Sequence, residues 1–121
     1  MNVLQENKAQ LLEERMLQFS FDVIAITKVI AASPENKIIT GQLIRSATSI
    51  GANYTEANNA ASRQDFRNKI FIAKKEAAET RYWLRLFAKL NDVPHTGTLI
   101  NECSELLFIL QKIVSTLKNG K

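Results

Sequence analysis

This 121-residue chain has one cysteine, one histidine, one tryptophan, two prolines and four glycines. Each scarcity excludes something. With Cys103 alone there is no intrachain disulfide. With so little Gly and Pro the chain lacks the many turns of an all-β fold. His95 is the single imidazole and falls in a turn, so the Glu-x-x-His motif that di-iron bundles repeat on two helices is missing. A Ser–His–Asp set would need His95 beside Ser46 or Ser49, which bundle geometry disfavours. No stretch approaches the ~18 uncharged apolar residues of a membrane span. The first apolar run is broken by Glu13, Glu14 and Arg15, unlike a signal peptide. The expectation is one cytoplasmic domain with no membrane contact, no metal and no cofactor.

What is present favours helix. The hydrophobic share is 45%, enough for one core, and the long segments are rich in Ala, Leu, Ile, Glu, Lys and Arg. Four amphipathic stretches are expected, at residues 7–32, 34–58, 63–91 and 97–117, with fraying at 1–6 and 118–121. On the first, Leu12, Met16, Phe19, Val23, Ile26 and Ile30 are spaced 4, 3, 4, 3, 4 and keep one face apolar. The second starts at Ser33-Pro34-Glu35, an N-cap, a Pro suited to the first turn and an acid suited to the helix dipole. Its core face is Leu43, Ala47, Ile50, Tyr54 and Ala57, and Gly51 admits a close neighbour helix. Ser62 to Asp65 resembles a capping box that opens the third helix, whose stripe is Phe66, Ile70, Ala73, Ala77 and Leu84. On the fourth the stripe is Leu99, Cys103, Leu106, Leu110, Ile113 and Leu117, which makes Cys103 a small buried residue rather than a nucleophile. Short connections between such helices predict an all-α, up-down-up-down four-helix bundle.

Apolar residues also lie off the core stripes. Leu17, Phe21 and Ile24 occupy another face of the first helix, and Ile72, Trp83, Leu86 and Leu90 a second face of the third, beside Phe71 and Tyr82. A surface helix ordinarily has one apolar stripe, and large exposed apolar patches mark interfaces. A homo-oligomer is expected, with Leu17, Phe21, Ile24, Ile72, Trp83 and Leu86 at its interface.

Charge is uneven. Residues 1–61 hold five Lys/Arg and six Asp/Glu, a balance of −1; residues 62–121 hold eleven and six, a balance of +5. Arg67, Lys74, Arg81 and Arg85 are spaced 7, 7 and 4 and line one flank of the third helix. Such a flank is either simply solvated or a stripe that tracks a phosphate backbone. Residues 42–86 carry half of the Lys and Arg and a polar constellation of Arg45, Ser49, Asn53, Glu56, Glu76 and Glu79. Antiparallel packing of helices two and three brings Arg45 near Glu76 or Glu79 for a bidentate pair. Arg45 and Glu56, three turns apart, can meet only across a subunit boundary. Paired carboxylates can do acid–base work, but the reading preferred here is a polar network that fixes helix register, with no catalytic residue.

The segments QLIRSATSIGANYTEA (42–57), SRQDF (62–66) and IAKKEAAETRYWLRL (72–86) resemble the small bacterial four helix bundle proteins, also called 23S ribosomal RNA intervening-sequence proteins. The resemblance spans residues 12–117. It departs at Ala57, where the family often has Gly, which puts the end of the second helix in question. It implies a ring-like homopentamer without enzyme activity. A related bundle, the accessory variability protein of diversity-generating retroelements, is pentameric and works with a reverse transcriptase and RNA. By that analogy, RNA or a reverse-transcriptase-like protein is an expected partner. The alternative is a protein-binding scaffold with no nucleic-acid role.

Overall fold

In a computed structural model, residues 2–119 are described, the side chain of 119 excepted. Four helices follow one another: α1 (Val3–Thr27), α2 (Pro34–Asn58), α3 (Arg63–Leu90) and α4 (Thr96–Asn119). Each packs on its neighbours in sequence, and α4 closes back on α1 through the smallest of the four interfaces; no diagonal pair touches among the described residues. As residue numbers rise on α2 their partners on α3 fall: Asn36 with Asn91, Arg45 with Glu79, Ser46 with Thr80, Glu56 with Lys69. That register is antiparallel, and the molecule is an all-α four-helix bundle.

Both ends of α1 differ from expectation. Residues 3–6 are helical rather than frayed because Asn2 and Gln5 form a reciprocal capping box, each side chain taking the other's backbone N–H at 2.9 and 3.0 Å. The helix ends at Thr27, not near residue 32. Thr27, Val29 and Ile30 are β-branched, which lowers helix propensity, and the Thr27 hydroxyl bonds the Ile24 carbonyl at 2.7 Å. The Lys28 N–H then reaches back only three residues, to Ala25, which tightens the last turn. The released segment is tied down from outside: Asn36 donates to the Ala31 carbonyl, and the Asn36 and Asn91 amides donate to each other at 3.1 and 2.9 Å.

α2 and α3 start on Ser33 and Ser62, each accepting from the N–H three residues on at 3.0 Å. Ala57 is buried inside α2, which ends one residue later, so the departure at that position does not move the helix end. The turn before α4 puts His95 at φ 74, a left-handed conformation that His tolerates better than most residues. Lys118 is helical rather than frayed; residues 120 and 121 lie outside the described range.

The expected stripes meet in one core, with corrections at the ends. Leu12, Ile30, Phe66, Ile113 and Leu117 are only partly buried, while Ile39, Phe87, Leu107 and Val114 are inside. A helix turns 3.6 residues per turn, so a fixed alternation of 3 and 4 drifts off the core near helix ends; on α4 the buried position after Leu110 is therefore Val114. Gly51 meets α1 as expected: a Cβ there would lie 3.1 Å from Met16 Cβ.

Candidate functional site

The polar constellation divides into three parts. Arg45 reaches across from α2 to α3, where its Nη1 lies 3.2 and 3.3 Å from the two Glu76 oxygens and its Nη2 donates to Glu79. The Trp83 indole donates to the same Glu79 oxygen at 2.8 Å, and Gln42 accepts from Arg45 Nε at 3.1 Å. Glu56 is not part of this cluster and needs no second subunit: Lys69 of α3 holds it at 2.8 Å. Ser49 and Asn53 bond carbonyls of their own helix, at Arg45 and Ser49 respectively, and so join no network.

Three further links were not anticipated. Arg15 of α1 grips Glu102 of α4 with two bonds, at 2.6 and 2.7 Å, and Glu105 with a third at 2.8 Å. Glu102 and Glu105 repeat the i, i+3 spacing of Glu76 and Glu79, and that repetition was the available signal. Between α2 and α3 the buried hydroxyls of Ser46 and Thr80 lie 2.9 Å apart and also bond the carbonyls of Leu43 and Glu76. The half-buried amide pair of Asn36 and Asn91 had no local signature, since its members are 55 positions apart.

The chemistry of these groups is that of fixed charge. The Glu79 carboxyl is held below its ordinary value of 4.5, first by the Trp83 indole and then by Arg45. Its contribution to stability is complete above pH 4.5 and is lost as acid takes the pH down through the lower folded value. Trp83→Phe keeps a ring but removes the donor, so the fall of Tm with acid should be shallower in that variant; identical acid limbs would contradict the assignment. Burial pushes the Cys103 thiol up to about 12, and it bonds the Ala77 carbonyl at 3.3 Å. His95 lines a cleft with Asp22, Ala25, Ile26, Thr98 and Leu99, at the α1–α4 seam. Ser46 and Ser49 sit on α2 and have other partners. No cluster of three metal-ligating side chains occurs among the described residues.

The apolar set is narrower than its sequence suggests. Trp83 and Leu86 pack on the edge of the core and Ile24 is half-buried. Leu17 and Phe21 are 64% and 66% exposed, and Ile72 is also exposed. Glu13 and Ser20 reach α2 through Asn58 and the Ala47 carbonyl, and Leu17 and Ile24 continue their ridge at steps of 4, 3 and 4. They therefore flank α2 on one side. On α3, Lys69, Ile72, Glu76, Glu79 and Trp83 form the ridge that flanks it on the other.

The basic residues occupy the opposite flank of α3. Lys74 and Arg81 bracket Ala77, whose carbonyl holds Cys103 of α4, so this flank faces α4. Arg81 and Arg85 are exposed; Arg67 and Lys74 are half-buried, and Arg67 Nε is buried without a hydrogen-bond partner among the described residues. None of the four forms an ion pair within the described residues.

A bundle closed by ion-paired seams, with exposed Leu17, Phe21 and Ile72 beside α2 and a basic flank between α3 and α4, defines a small all-α four-helix protein. None of its described helices is long and apolar enough to cross a membrane. The chain belongs to the 23S rRNA-intervening sequence protein family, whose model matches residues 9–112. It is similar to a solved structure from Bacteroides thetaiotaomicron VPI-5482, described as a protein with unknown function from the S23 ribosomal protein family. The two share 35% identity over 90% of this chain and 99% of that one, with a TM-score of 0.78. Comparison with curated proteins finds no match.

Proposed function

We propose that this protein is a non-enzymatic bundle that assembles with copies of itself, as a pentameric ring, and offers its basic flank to nucleic acid. The observation that carries the assembly is the side around α2. Its outer positions Gly41, Thr48, Ala52 and Thr55 are small, and they lie between exposed Leu17 and Phe21 on α1 and exposed Ile72 on α3. A low central strip between ridges that expose Leu17, Phe21 and Ile72 suits a second copy packing helix against helix, and its burial removes those side chains from water. Glu76 and Glu79 support the absence of catalysis, since both are committed to Arg45 and Glu79 stays ionised at neutral pH. Multi-angle light scattering should give a mass several times the 13.6 kDa chain, and Leu17→Glu with Phe21→Glu should return it to one chain. A wild-type monomer at micromolar concentration would overturn the assembly.

The nucleic-acid reading rests on the unpaired basic flank. A mobility shift that weakens with salt, and weakens further in Arg67→Ala/Arg81→Ala, is the expected result. Binding insensitive to both, or recovery of a protein partner without nucleic acid, would favour a protein-binding scaffold instead.

A further inference from the structure

The carboxylates of α3 and α4 are all drawn to one side. Glu76 and Glu79 are held by Arg45 of α2, and Asp65 continues their ridge one turn before Lys69, itself paired with α2. Glu102 and Glu105 are held by Arg15 of α1. The flank of α3 toward α4 is left with no carboxylate of its own helix among the described residues, and on α4 the exposed Glu105, one turn before Phe108, is neutralised by Arg15. A field of one sign is thereby concentrated on that face.

Aromatic rings stand within this field. Phe71, Lys74, Ala78, Tyr82, Arg85 and Lys89 follow at steps of 3, 4, 4, 3 and 4, so they form one ridge of α3 that carries two rings and three cations. The ridge spans about 27 Å at 1.5 Å per residue. Tyr82 is 60% exposed and is braced edge-on by Trp83, at 5.1 Å between centroids and 76° between planes. On α4, Phe108 is 59% exposed with Lys112 5.4 Å from its ring centre. Cys103 faces Ala77, and the antiparallel register then sets Phe108 level with Phe71. Exposed rings add nothing to phosphate contact with a duplex, whose bases are already stacked. They do serve a strand whose bases are free, and a basic track with aromatic platforms is the arrangement that binds such strands without sequence preference.

We infer that the α3–α4 face binds an unpaired nucleic-acid strand, its phosphates along Lys74, Arg81 and Arg85 and its bases stacked on Tyr82, Phe71 and Phe108. This rests on the basic-flank reading above and adds to it the form of the ligand. Fluorescence anisotropy of the full chain tests it with three labelled probes: a mixed-sequence RNA strand, the same sequence as a DNA strand, and its duplex, each at two salt concentrations. Either single strand should bind at least about tenfold tighter than the duplex, and the two strands compared show whether the 2′-hydroxyl matters. Tyr82→Ala and Phe108→Ala should each weaken the single strand about tenfold and leave the salt slope unchanged. Arg85→Ala should weaken it and lower the slope by about one phosphate contact. These side chains are exposed, so unchanged circular dichroism is expected in every variant. Duplex binding as tight as the strand, or aromatic variants that bind like wild type, overturns the inference while the basic-flank reading survives. Failure of all three probes to bind overturns both.

Discussion

Phe87→Ala is expected to cost about 3–5 kcal/mol of unfolding free energy, the range for removing a buried Phe. A natural domain of this size has about 5–15 kcal/mol in total, so the variant should be near the limit of folding at physiological temperature. Phe87 is fully buried near the end of α3, and its carbonyl accepts the Asn91 N–H at 2.9 Å. Asn91 in turn pairs with Asn36 at the start of α2. A cavity here would loosen the end of the bundle where the α1–α2 connection and the turn before α4 both lie. Phe66, at the other end of α3, is only partly buried, and Phe66→Ala should cost clearly less. Urea denaturation of the two variants separates them, and equal losses would mean that the burial of Phe87 is misassigned.

Gly51→Leu should destabilise the bundle by about 1–3 kcal/mol or more, as overpacking of a full site does. The new Cβ would sit 3.1 Å from Met16 Cβ and 3.7 Å from the Met16 carbonyl carbon, and Met16 is completely buried. Among the described residues α1 touches only α2 and α4, so the damage should concentrate there and appear as faster amide exchange along α1. Gly51→Ala meets the same atom with one methyl. Its gain in helix propensity is about 1 kcal/mol, and the squeeze offsets part or all of it. Gly41 is the control within the chain, because nothing of its own chain lies within 4 Å of a Cβ there; in the Leu17→Glu/Phe21→Glu background, Gly41→Ala should stabilise by the propensity difference alone. A Gly51→Leu protein as stable as wild type would show that α1 and α2 are not in close approach.

These two positions also mark how far sequence reasoning reaches. The use of Gly51 was legible because a Gly inside a strong apolar pattern is unfavourable unless something lies close to it. Phe87 was missed because it extends the Leu84 stripe by one further step of 3, into the last turn, where Leu86 and Leu90 compete for the core. Arg45 with Glu76 and Glu79 was legible because hairpin-like antiparallel packing brings those ridges together. Glu56 was not: Lys69 is itself on the α2 ridge of α3, but which of several nearby cations it meets depends on the axial offset of the two helices.

Local spacing alone determined that this chain makes four helices, where three of them start, and most of the stripe each one buries. Helix formation and capping are decided within a few residues, and periodicity is a property of the helix itself. Tertiary structure decided the rest. Each helix is rotated and shifted to seat its whole stripe, and only then do partners such as Arg15 with Glu102, Ser46 with Thr80 and Asn36 with Asn91 come within reach. The same rotation turns the acids of α3 toward α2 and those of α4 toward α1. The basic and aromatic face between α3 and α4 therefore belongs to neither helix alone, but follows from how the four are set against one another.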